Sequence, residues 1–267
     1  MPELVVRSAK HDLSYAPSWS VDGDRFLSPR HERVLDTIGA IEGLLYTEDA
    51  QKLYELAWFA TGPILEIGTF CGQSTAVMAA ALEDAGNPAR IVSLDVDAAA
   101  LSTARANLDR LGFGARVTLV HSETRRLLRA ASALRPGLVF VDGDHTLRGV
   151  RADLAALEPA VPDGAIVALH DYEGYEDEDP YSVRVAEAVT RSWLARQGEF
   201  IGRFGLCGVF VRRSGGPGAA GGNDALSAPF VELESRATEL RRRVGTVGRK
   251  LDRRAFHLRR RLARART

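Results

Sequence analysis

Residues 64–75, ILEIGTFCGQST, constrain the fold of this chain more than any other stretch. An apolar run (Ile64, Leu65, Ile67) enters a turn marked by Gly68 and Gly72 and passes straight into a helical segment. Glycine reaches backbone angles closed to other residues and leaves no side chain between the main chain and a ligand. Ser74 and Thr75 then bring hydroxyls and N–H groups to a helix N-terminus, which favours negative charge. The stretch is a site for a carboxylate or phosphate, or a plain strand-to-helix turn. Its glycines lie four apart, whereas the GxGxxG fingerprint of dinucleotide sites spaces them two and then three apart. Glu66 also places an acid inside the strand.

A second apolar run, IVSLDVD at 91–97, ends in Asp95, 27 positions after Gly68. A carboxylate at the end of a second strand is placed to accept both hydroxyls of a ribose. Glycine loop and acid together specify a nucleoside ligand. The rest of the chain continues the alternation, with strands expected near 116–121, 137–142 and 165–169. Helices are expected near 73–84, 98–111, 123–134, 146–158 and 182–197, and two more between Val34 and Ala60, with a helix start at Thr47, Glu48 and Asp49. Such alternation predicts a parallel sheet covered on both faces. EFIGRFG and LCGVFVRR have no helix between them and should close the sheet as an antiparallel hairpin. The expected fold is α/β: a Rossmann-like, mostly parallel seven-stranded sheet with a C-terminal antiparallel β-hairpin.

Ligands of open α/β sheets lie beyond the carboxyl ends of the strands. The fourth strand runs into Asp142, Gly143, Asp144 and His145, and the fifth into His170 and Asp171. Neighbouring strands are about 4.8 Å apart, so both clusters would share one rim. Mg²⁺ takes one or two protein carboxylates and completes its shell with water and substrate oxygens, which suits Asp142 and Asp171. The same aspartates also suit helix caps or turns. His145 is a candidate general base or a surface histidine. After the fifth strand, EGYEDED at 173–179 reads as a solvated acidic loop.

The formal charge is zero but unevenly spread: residues 232–267 carry 13 Lys or Arg against 4 Asp or Glu, about +9, leaving about −9 on residues 1–231. The five acids of 173–179 discourage polyanionic partners, so nucleic acid is not expected as a partner. Leu233, Ala237, Leu240, Val244, Val247, Leu251, Ala255, Leu258 and Leu262 recur at spacings of four and three, the pattern of a basic amphipathic helix. It suits a homo-oligomeric coiled coil, peripheral contact with an anionic membrane, or docking on the acidic body. The organisation expected is residues 1–60 as N-terminal lid and helices, 61–213 as the ligand-binding domain, 214–229 as a glycine-rich linker, and 230–267 as the basic helix. Two cysteines, and no signal peptide or long apolar run, point to a cytoplasmic protein.

Over roughly residues 40–212, on these four motifs, the chain resembles the class I S-adenosylmethionine (SAM) methyltransferases. It is most similar to the O-methyltransferases related to catechol O-methyltransferase and to the macrocin-type sugar methyltransferases. The resemblance implies SAM as cofactor, with LEIGTFCGQS as the first motif (Glu66, Gly68, Phe70, Gly72). It further implies Ser74 on the methionine carboxylate, Asp95 on the ribose, and Ser122 with Glu123 flanking adenine. Asp142, His170 and Asp171 fall on the positions that hold Mg²⁺ or Mn²⁺, and His145 on that of the general base. The resemblance also puts the segment after the fifth strand beside the acceptor, with Tyr172, Tyr175 and Tyr181 as candidates to stack on its ring. DGDH stands where many amino-directed nucleic-acid methyltransferases carry an NPPY-type motif, which again speaks against nucleic acid. One departure is that position 170 is commonly acidic in macrocin-type relatives, and imidazole partners Mg²⁺ less well than oxygen does. The implied activity is methyl transfer to a hydroxyl of a small molecule or glycan. Rival readings are a non-catalytic SAM-binding scaffold and an NAD-dependent oxidoreductase.

Overall fold

The computed structural model describes residues 33–34, 36–172 and 184–213. The chain divides into two compact units, Met1–Gly222 and Asn223–Thr267. The second, with the expected basic helix, lies outside the described residues, as do the whole of the expected linker, residues 1–32 and 35, the acidic loop, Tyr175 and Tyr181.

A helical stretch at 36–39 precedes α1 (Thr47–Trp58). Then follow β1 (Ile64–Ile67), α2 (Gln73–Asp84), β2 (Ile91–Asp95), α3 (Ala98–Arg110), β3 (Val117–His121) and α4 (Thr124–Ala130). The second half runs β4 (Leu138–Val141), α5 (Leu147–Leu157), β5 (Ile166–Leu169), α6 (Val185–Thr190), α7 (Leu194–Gln197), β6 (Gly198–Phe204) and β7 (Cys207–Arg212). The sheet order is β3-β2-β1-β4-β5-β7-β6. The first five strands pair in parallel, and β7 runs antiparallel between β5 and β6. Among the described residues, no helix is long and apolar enough to cross a membrane.

The expected strands are present to within a residue, and two helices are shorter. The expected helix at 123–134 stops at Ala130, because the chain must turn back to enter β4, where the Gly137 N–H donates to Pro63 O. That expected at 182–197 breaks into α6 and α7 around Trp193. The indole is 1 % exposed and its N–H donates to Leu154 O at 2.7 Å, so the chain bends to seat the ring on α5.

Side chains of a strand alternate between faces, and here they feed two cores. Ile64, Leu138, Phe140 and Ala168 face α1 and α2. Leu65, Ile67, Val139, Val141, Val167 and Leu169 face α5, α6 and α7. The same period sets the site. Two residues past Phe140 and Ala168, Asp142 and His170 emerge on the α1 side.

Candidate active site

The strand order reverses between β1 and β4, and this is where open α/β sheets bind ligands. The glycine loop and the polar rim meet there. The Asp142 N–H donates to Ile67 O at 2.8 Å. Gly68 has φ 94°, and a Cβ on it would run into the carbonyl oxygen of Asp142. Glycine is thus required for two strand ends to pack, whatever ligand the loop holds.

Glu66 lies on the α2 side of β1 and is fully buried. Ser74 Oγ and Thr75 Oγ1 donate to its two carboxylate oxygens at 2.5 Å each, and Ser93, its register partner on β2, donates at 2.6 Å. Burial pushes the Glu66 carboxyl up to about 7 despite these hydrogen bonds. The Ser74 hydroxyl, expected on a cofactor carboxylate, therefore gives its one proton to Glu66. What α2 turns toward the loop is its N-terminal backbone, where a helix favours an anion.

Asp95 is 9 % exposed at the end of β2. Its Oδ2 accepts from the Phe70 N–H and its Oδ1 from the Asp97 N–H, each at 2.9 Å. Phe70 holds φ 47°, a region sparsely used by non-glycine residues. The glycine loop is thereby fastened to the expected ribose acid, and each oxygen keeps a lone pair for a further donor. The Ser122 N–H donates to Asp95 O at 3.1 Å, bringing Ser122 to the same rim, and Glu123 is exposed beside it at the start of α4.

Around the end of β4 and β5 four side chains interlock. His145 Nε2 is 2.9 Å from Asp142 Oδ1, and its Nδ1 is 3.2 Å from Asp171 Oδ2. His170 Nδ1 is 3.1 Å from Asp142 Oδ1 and 3.7 Å from Asp171 Oδ1. Alternation alone would send Asp171 to the opposite face from His170. Its φ of 53° turns the chain and returns the carboxylate to the rim, a strained geometry of the kind held at functional sites. Burial opposes the charge on Asp142, but the charge of His170 and the hydrogen bond from His145 outweigh it and hold the carboxyl far below its usual range. For His170, burial is overcome by the facing carboxylates of Asp142 and Asp171, with Asp49 behind, and the imidazole is pushed well above its ordinary value.

Residues 65–172 match the family model of a methyltransferase domain. Over that stretch the chain is similar to methyltransferase domains. Its fold is shared with solved methyltransferase structures. An O-methyltransferase of Bacillus cereus solved with SAH is 18% identical, with 73% of this chain and 99% of that one covered at a TM-score of 0.52. The O-methyltransferase TomG of Streptomyces achromogenes, involved in tomaymycin synthesis and solved with SAM, is 16% identical, covering 70% and 91% at 0.50. The SAH-bound methyltransferase PaMTH1 of Podospora anserina is 15% identical, covering 75% and 99% at 0.53. No curated protein sequence matches the chain significantly.

Two further expectations change within the matched stretch. Tyr172 does not face an acceptor. It is 8 % exposed, stacks on Phe200 with ring centroids 5.5 Å apart and meets Phe210 edge-on at 5.7 Å. It is core. His145 is also not a free-standing base, since both ring nitrogens face carboxylate oxygens. Two residues here were not read as site residues from the sequence. Gln73 donates to Ile38 O and Ile41 O and accepts from the Leu45 N–H, pinning residues 38–45 beside the glycine loop. Asp49 reaches His170 from α1.

Proposed function

We propose that the chain transfers the methyl group of SAM to a hydroxyl oxygen of a small molecule or glycan, such as a sugar or a phenol. The observation that carries this reading is the rim of Asp142, His145, His170 and Asp171 directly beside the glycine loop and Asp95. A proton-handling cluster there borders the cofactor crevice. The O-methyltransferase names of two structural neighbours, seen with SAH and SAM, support it.

In this reading Asp95 and the N-terminus of α2 hold SAM and aim its methyl group across the crevice. The acceptor oxygen attacks the methyl carbon in line and the carbon–sulfur pair returns to sulfur, releasing a neutral thioether. The hydroxyl proton passes to His145, and Asp142 and Asp171 hold the imidazolium that forms. Alignment of oxygen, carbon and sulfur supplies much of the rate.

The donors also fit a divalent cation. Asp142, His145 and His170 offer ligand atoms all within 4.8 Å of one another. His170 Nδ1 is buried and meets neither facing carboxylate at a hydrogen-bonding angle. A mixed imidazole and carboxylate set suits Mn²⁺ better than Mg²⁺. When bound, such an ion lowers the pKa of an acceptor hydroxyl.

Incubation with SAM labelled as CD₃ and a library of hydroxylated acceptors, read by mass spectrometry, tests the proposal. Label on an acceptor oxygen is expected, and label only on nitrogen or carbon would refute it.

A further inference from the structure

We infer that Asp49 is the positioning residue for His170, fixing the imidazole with Nε2–H toward α1 and Nδ1 toward the rim between Asp142 and Asp171. The inference rests on the site proposed above and adds a buried member from a separate part of the chain.

Asp49 is 0 % exposed, and a buried carboxylate is tolerated only when its oxygens are bonded. Both are. Oδ2 lies 3.2 Å from His170 Nε2, and Oδ1 accepts from the Leu206 N–H at 2.6 Å. Leu206, in the turn between β6 and β7, accepts in its own right from the Tyr172 N–H at 2.8 Å. One turn residue therefore holds both the carboxylate that orients the ring and the strand end that carries it. With a backbone amide on its second oxygen, Asp49 cannot swing away from the imidazole. A histidine whose far nitrogen is bonded to a carboxylate has its tautomer and ring plane set from behind.

Cys207 also lies near Asp49 and His170, and the three offer atoms within 4.8 Å of one another. Asp49 bonds His170 and Leu206, and burial together with the charge of Asp49 pushes the Cys207 thiol well up.

The test is Asp49→Asn in the full-length protein, with the ring nitrogens of all histidines observed by long-range ¹H–¹⁵N correlation at one fixed pH and His170 assigned by the signal missing in His170→Gln. The Leu206 amide cannot change its role, so the Asn oxygen stays on it and the Asn NH₂ faces Nε2. The expected result is Nε2 protonated in the wild type and unprotonated in the variant, with kcat lowered about 10–100-fold and the KM for SAM unchanged. A His170 without a proton on Nε2 in the wild type overturns the inference, which keeps it testable should the variant fail to fold. So does a variant whose ring signals match the wild type, or a changed ring with kcat unaltered. Failure of the methyl-transfer reading is separate: it shows as a wild type that methylates no hydroxyl, and the ring signals still decide the role of Asp49.

Discussion

Glu66 sits at the head of the glycine loop as a buried carboxylate bonded to three hydroxyls. Its carboxyl, raised by burial from 4.5 to about 7, binds a proton more tightly in the folded chain than in the unfolded one. Between those values the folded state holds more protons, so this residue's contribution to stability is full below about pH 4.5 and is lost as pH rises toward 7. A shift of this size corresponds to a few kcal/mol, on the order of 3. Glu66→Gln should therefore flatten the stability–pH curve over that window. Thermal melts of both proteins from pH 4 to 8 check this, and parallel curves would show that Glu66 does not titrate there. The residue was legible in the sequence as an acid within an apolar strand. Its partners Thr75 and Ser93 were not, because nothing in a single sequence announces that β1 and β2 pair with Glu66 opposite Ser93.

At the scale of elements, α1 is the helix whose role the sequence concealed. Leu53, Leu56, Ala57 and Ala60 mark an apolar face, and Asp49 reads as an acid in the first turn of a helix. The structure buries Asp49, Lys52 and Glu55 as well, at 0 %, 3 % and 0 % exposure. Charges spaced by three and interleaved with that apolar series cannot all reach solvent, and this spacing was the available signal. The strands were legible because they are short apolar runs ended by glycine or acid. The rim was legible too, since two strands ending in Asp142 and His170 must emerge together if they pair. The Asp171 turn and the α1 contact depend on tertiary packing and left no local mark. Lys52 Nζ lies 2.6 Å from Glu55 Oε2 and 3.8 Å from the centroid of the Phe204 ring. Burial lowers Lys52 to about 7 and raises Glu55 well above its usual range. Removing one partner leaves the other buried without its polar contact, so Lys52→Met should cost about 1–3 kcal/mol. The double variant Lys52→Met/Glu55→Leu should recover most of that loss, because apolar packing replaces a buried polar pair. Urea denaturation of the two variants distinguishes the cases, and equal losses would mean that the pair is not coupled.

For the whole molecule, every residue placed at the site lies before residue 173, and the basic stripe lies after residue 231. Deleting residues 214–267 should leave SAM affinity unchanged while altering assembly or surface attachment. If the stripe lies on an anionic membrane, vesicle binding should be lost on deletion and should weaken with salt, as expected of about +9 charges. If it pairs copies of the chain, light scattering should show the mass fall on deletion, with little dependence on salt. Neither effect would leave the stripe without a role in assembly or attachment. The catalytic reading depends on a nucleoside held at the crevice between β1 and β4, with Asp95 on its ribose. Calorimetric titration of SAM into the wild type and Asp95→Ala measures this directly. One SAM per chain is expected for the wild type. In the variant the affinity should fall steeply, because two charge-assisted hydrogen bonds of ~1.5–3 kcal/mol each are removed and the glycine loop loses its anchor at Phe70. Undiminished SAM binding by Asp95→Ala, or no SAM binding by a wild type that binds NAD instead, would contradict the account.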